Sequence, residues 1–196
     1  MGHGLNSAHL AVLAVTAYRN ARRLGKTLAE TAAAIDASVS TVFRGEAFTT
    51  GLLAELDSQT GELRWINAGH PAPLLLRQGR LVKALDLEPA LPFGLSHLGP
   101  AEPGHVAVGS ESLEPGDQVL LYTDGVVEAR SPDGAFFGVE RLTDLIARNL
   151  ASGLPTPETM RRVVRSLLTH QQGQLTDDAT MLLAEWRTNR HMALLP

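Results

Sequence analysis

At Phe48 the period of the hydrophobic pattern changes, and with it the structure this chain can form. Before that point the apolar positions Leu10, Leu13, Val15 and Tyr18 predict a helix over Leu5 to Arg23, with Gly25 as its C-terminal cap. Thr27 and Glu30 have the spacing of a capping box, so a second helix starts there and runs to about Phe43. From Phe48 the repeat is two: FTTGLLAEL, the turn DSQTG and ELRWINA read as one hairpin, and PLLLR, QG and RLVKAL as a second, together a meander. HVAVGS and QVLLY flank the turn EPGD. Helical spacing returns over Gly138 to Leu150 and Pro157 to His170, the latter with Thr156 as N-cap and Pro157 at the first helical position, and ATMLLAEW is a final strand.

Helices, strands, helices and a strand, rather than strict alternation, predict an α+β fold in which antiparallel sheet is covered by helices. The chain has 196 residues, 44% of them hydrophobic, which suits one compact domain with a real core, and it shows no internal repeat or linker. The last residues, 188–196, are expected to be a disordered tail.

Charge and composition then exclude several functions. Seventeen basic and 21 acidic residues, net −4 and without long runs, leave no footprint for nucleic acid or for an anionic membrane surface, so neither partner is expected. The absence of cysteine removes disulfides, thiolate zinc sites and cysteine nucleophiles, and suits a cytoplasmic location. AHLAVLAVTAY, the longest apolar stretch, is too short to cross a bilayer.

Two places combine acids with apolar strands. LYTDGVVEA puts Asp124 just past the end of a buried strand, and TDDAT puts Asp177 and Asp178 just before one. Asp124-Gly125 reads as a turn, in which Asp bonds its own backbone and Gly accepts positive φ. It also reads as a ligand position. Adjacent carboxylates at 177 and 178 form a solvated turn, or they repel until a hard cation such as Mg²⁺ or Mn²⁺ offsets them. Elsewhere the structural readings dominate: Gly69-His70 before two prolines is a turn, Asp133-Gly134 is another, and Met160, Val163, Val164, Leu167 and Leu168 are core.

Taken in order, NAGHPAPLLLR, LEPGDQVLLYTDG, LYTDGVVEARSPDGAFFGVERL and DDATMLLAEW resemble the sporulation stage II E branch of the metal-dependent, type 2C-like (PPM) serine/threonine protein phosphatases. The resemblance implies a two-layer antiparallel β-sandwich flanked by helices. It also implies two Mn²⁺ or Mg²⁺ ions held by aspartates at strand ends, which lower the pKa of a water that attacks phosphorus. Asp124 and Asp177 then match metal ligands, and Asp178 a weaker position. In relatives a bridging aspartate precedes the glycines in the form D-x-M-G-H-G, whereas here MGHGLN opens the chain. The expectation is therefore an N-terminally truncated phosphatase domain over 1–187, its first strands missing. His3 of that opening is carried over as a proton donor to the leaving oxygen, against the plain reading of a solvated terminal histidine.

The implied activity is hydrolysis of phosphoserine or phosphothreonine on a protein partner, an anti-sigma-factor antagonist in bacterial signalling; a homodimer is also allowed. A non-catalytic protein-binding module is the competing reading, and a different metal-dependent phosphoesterase a third.

Overall fold

The structure, a computed structural model, describes residues 5–88, 90–98, 106–173 and 178–187. His3, Asp177 and the tail 188–196 lie outside the described residues. In chain order the elements are α1 (Leu5–Arg23), α2 (Leu28–Phe43), β1 (Gly51–Leu56), β2 (Glu62–Ala68), β3 (Leu74–Arg77), β4 (Arg80–Ala84), β5 (Gly109–Ser112), β6 (Gln118–Tyr122), α3 (Asp124–Val127), α4 (Val139–Ala151), α5 (Thr156–His170) and β7 (Met181–Glu185). The contacts fall into two compact units, Met1–His70 with Leu87–Ser112 and Pro71–Asp86 with Leu113–Pro196. As expected for α+β, every strand pairing within the two sheets is antiparallel.

In the first unit, α1 and α2 pack together beside the sheet β1-β2-β5. The inward stripe of α1 is Leu10, Ala17 and Ala21, and the two alanines let the helices approach closely. Val15, expected on that stripe, is 45% exposed. The second helix starts where the capping box placed it: the Glu30 N–H donates to Thr27 Oγ1 at 3.3 Å, and the Thr27 N–H to Glu30 Oε2 at 2.8 Å. Thr27→Ala is expected to cost about 1 kcal/mol, read from the denaturation midpoint, because it leaves a helix N–H without its acceptor. Ile35 and Val39 of α2 meet Ile66, Ala68 and Phe93 in one core. Phe93 belongs to a loop tied to α2, where Asp36 accepts hydrogen bonds from the Gly94 N–H and the Ser96 hydroxyl.

The second unit is built on the sheet β4-β3-β6-β7. Leu74, Leu76, Leu120 and Tyr122 on one face share a core with Leu142, Ile146, Val163 and Leu167 of α4 and α5. Leu75 and Val119, on the other face, are buried too, which explains why PLLL reads as a continuous apolar run.

Three expectations need correction. The hairpins do not form a meander: β1 and β2 belong to one sheet, β3 and β4 to the other, and likewise β5 pairs with β2 while β6 pairs with β3 and β7. The β1–β2 ladder ends at Gly51↔Ala68, before Pro71 and Pro73, and a local turn signal carries no information about which sheet receives the next strand. Thr156 is not the N-cap of α5. Pro155 occupies that place, and the Thr156 hydroxyl donates instead to Glu185 Oε2 at 3.2 Å. Val164 is 44% exposed, because the stripe Thr159, Val163 and Leu167 alone faces inward.

The turn before β6 is as the sequence suggested. The Asp117 N–H donates to Glu114 O at 2.9 Å, and Gly116 takes the positive φ of +93° that Pro-Gly turns require.

Candidate metal centre

Strand β6 ends at Tyr122, and the chain turns at Thr123 into α3, a single helical turn that begins with Asp124. Its partner segment is 178–180, which leads into β7. The Thr123 N–H donates to Thr180 O at 3.0 Å, and the Thr180 N–H donates to Thr123 Oγ1 at 3.0 Å. These two bonds extend the β6–β7 ladder by one residue beyond Tyr122↔Met181 and hold the acid-bearing segments side by side.

Gly125 completes the junction. A Cβ on this residue would lie 2.2 Å from the Asp178 carbonyl oxygen and 3.0 Å from its carbonyl carbon, so no side chain fits. The sequence suggested a glycine chosen for positive φ, but Gly125 is not among the positive-φ residues; what it supplies is room for the Asp178 backbone. Gly125→Ala is expected to destabilise the protein by about 1–3 kcal/mol, the scale of overpacking against an unyielding backbone, measurable as a fall in Tm.

Asp124 and Asp178 are both exposed carboxylates. Asp124 Oδ1 accepts the Gly125 N–H at 2.9 Å, which orients the carboxyl at the start of α3. Tyr122, just before them, is buried; burial pushes its phenol above the usual range, and the Asp86 carboxylate adds to that, so it stays protonated and is no base for this site. Oxygen donors of this kind suit a hard divalent cation. The described residues hold no group of three or more His, Cys, Asp or Glu that could enclose an ion, so Asp124 and Asp178 do not by themselves enclose one.

The structure therefore brings together two of the four residues singled out in the sequence, Asp124 and the backbone of Asp178; Asp177 and His3 lie outside the described residues. Sequence reasoning missed Thr123, whose hydroxyl and N–H make the junction. The available signal was a Thr immediately before Asp at a strand end, a residue type that bonds backbone groups locally. His70 is a turn residue as expected: its N–H donates to Asn67 Oδ1 at 2.8 Å and its carbonyl accepts from Asn67 Nδ2 at 2.7 Å. No helix among the described residues is long and apolar enough to cross a membrane.

Comparison with known proteins agrees with this architecture. The family model of Stage II sporulation protein E (SpoIIE) matches residues 1–187. The crystal structure of the RsbU and RsbW domains of Rv1364c from Mycobacterium tuberculosis is similar with a TM-score of 0.72 and 29% identity, covering 96% of this chain and 51% of that one. The SiaA PP2C domain of Pseudomonas aeruginosa, 22% identical, shares the fold with a TM-score of 0.75 over 94% of this chain and 72% of its own. Protein IcfG of Synechocystis sp. is 29% identical over 141 residues, which is 71% of this chain and 21% of IcfG. The chain thus spans about a fifth of that curated relative and about half of the Mycobacterium chain. A family match that runs from the first helix through the last strand shows that this chain belongs to the SpoIIE family of PP2C-type phosphatases.

Proposed function

We propose that the protein carrying this chain is a metal-dependent phosphatase that hydrolyses phosphoserine or phosphothreonine on a protein, with Asp124, Asp177 and Asp178 as metal ligands. The observation that carries the reading is the junction itself: the paired Thr123–Thr180 bonds and the close approach of Gly125 to Asp178 set YTDG against residues 178–180. In this chain the carboxylate of Asp124 is oriented by the Gly125 N–H, and Thr123 fixes the distance between the two segments. Mn²⁺ or Mg²⁺ held there would activate a water for direct attack on phosphorus and offset charge on the attacking and leaving oxygens. His3 is proposed as the donor of a proton to the departing serine or threonine oxygen.

The substrate proposed is a phosphorylated anti-sigma-factor antagonist. The similar Mycobacterium tuberculosis protein, in which an RsbU domain is joined to an RsbW domain, supports a regulatory protein as the partner. The test is phosphate release from a phosphoserine protein with Mn²⁺ and with chelator. Mn²⁺-dependent release is expected; hydrolysis that persists unchanged in chelator, or none under saturating Mn²⁺, would contradict the proposal.

A further inference from the structure

His170, the last residue of α5, joins three elements. Arg141 of α4 brings Nη1 to 3.0 Å from its Nδ1, and the Ala135 carbonyl oxygen of the turn before α4 lies 3.0 Å from its Nε2. The ring stands edge-on to Phe137, with centroids 5.4 Å apart, and the Arg141 guanidinium lies over that same Phe137 ring at 4.9 Å. Both polar partners are chemically one-sided, because a guanidinium has donors only and a carbonyl oxygen accepts only. Nδ1 must therefore present a lone pair and Nε2 a hydrogen. The neutral Nε2–H imidazole alone satisfies both.

A proton on Nδ1 would set N–H against N–H and cation against cation. The charged groups around the ring pull in opposite directions. Arg141 on α4 opposes the imidazolium, whereas Asp133 in the turn, held below the usual carboxylate range first by the Ser131 hydroxyl, favours it. The Asp133 attraction acts on the net charge of the ring, but it cannot supply the lone pair that Arg141 needs.

We propose that His170 is a positioning residue: as the neutral imidazole it pins the end of α5 to α4 and to the turn at Ala135, and so fixes where residues 171–173 leave the helix; protonation releases the pin. The exit is continuous with α5, since the Gln171 N–H donates to Leu167 O at 3.1 Å and the Gly173 N–H to Leu168 O at 2.7 Å. Asp177 follows in the sequence, and the Asp178 carbonyl lies against Gly125. The bearing on metal binding rests on the proposed function; the pin itself does not.

Long-range ¹⁵N correlation of the imidazoles tests the pin directly. At pH 8 His170 is expected as the Nε2–H tautomer, and the Nδ1–H tautomer would overturn the proposal. Amide exchange, corrected for intrinsic chemistry, tests the release. Protection at Gln171 and Gly173 is expected to fall about tenfold as the pH is lowered from 8 and the imidazole correlation shows the second proton arriving. In Arg141→Gln the amide donates to the neutral ring and turns to accept from the protonated one, so that fall disappears; an equal fall in both proteins overturns the proposal. With Mn²⁺ alone as probe, His170→Ala is expected to weaken binding about tenfold at pH 8, as loss of an outer support does. Unchanged Mn²⁺ affinity in that variant would overturn the positioning role, whereas absence of Mn²⁺ binding in the wild type would refute the proposed function and leave the tautomer and exchange results to decide the pin.

Discussion

Asp124→Asn is expected to lower phosphate release more than about 100-fold while leaving the melting temperature nearly unchanged, since even outer-shell losses at metal sites cost 10–100-fold. A neutral amide is a poor ligand for a hard cation, so the variant loses charge where the proposed chemistry needs it. The fold has little at stake there. Asp124 is exposed, and its one described side-chain bond is to the neighbouring Gly125 N–H, which the Asn oxygen can also accept. Substitutions of that kind at the surface usually shift stability by no more than about 0.5 kcal/mol. Activity and thermal melting, measured on one preparation, separate the two effects. Wild-type turnover in the variant would remove Asp124 from the site.

The second large effect is on stability and lies at the opposite end of β6. Asp117 is 1% exposed, and Arg77 binds it bidentately, Nε to Oδ1 and Nη2 to Oδ2, both at 2.8 Å. The Glu114 N–H adds a third bond to Oδ2 at 2.8 Å. Asp117→Ala is expected to cost about 3–5 kcal/mol, because it takes the bidentate acceptor from a half-buried guanidinium and the acceptor from a turn N–H. The bond from Arg77 to Glu114 compensates little, since that carboxylate is 64% exposed. Urea unfolding gives the number, and a loss below about 1 kcal/mol would show that the cluster is ornamental.

Acid should expose the same interaction. Burial alone would push the Asp117 carboxyl up; the Arg77 hydrogen bonds, the Glu114 N–H and the Arg77 charge outweigh it and hold the group below its usual range. A carboxylate depressed in the folded state stabilises fully above its unfolded pKa of about 3.9, and that share is lost as pH falls through the lower folded value. The wild type is therefore expected to lose stability below about pH 4, and Asp117→Asn to lack that part of the loss.

Local features were legible in the sequence because their physics is local. The capping box at Thr27 and Glu30, the Pro115-Gly116 turn and the two hairpins each depend on a few adjacent residues. Sheet membership was not legible. Where β5 and β6 go depends on long-range pairing, and EPGD looks the same whether its strands pair with each other or separate into two sheets. The exposed Val15 and Val164 show the same limit: helical spacing says which residues share a face, and packing decides how wide the buried stripe is. Of the candidate site, the acids stood out through resemblance, while Thr123 and the true role of Gly125 depend on a contact across more than 50 residues of chain.

The central claim is that YTDG and DDAT are two halves of one divalent-cation site. Mn²⁺ binding followed by electron paramagnetic resonance tests it most directly, in the wild type, in Asp124→Asn, in Asp177→Asn and in the double variant. If both aspartates hold the same ion, each single change should weaken binding at least about tenfold, and the double variant should lose less than the sum of the two free-energy changes, as residues sharing one partner do. Wild-type Mn²⁺ affinity in either single variant, or losses that simply add, would mean that the two segments lie side by side without sharing a metal.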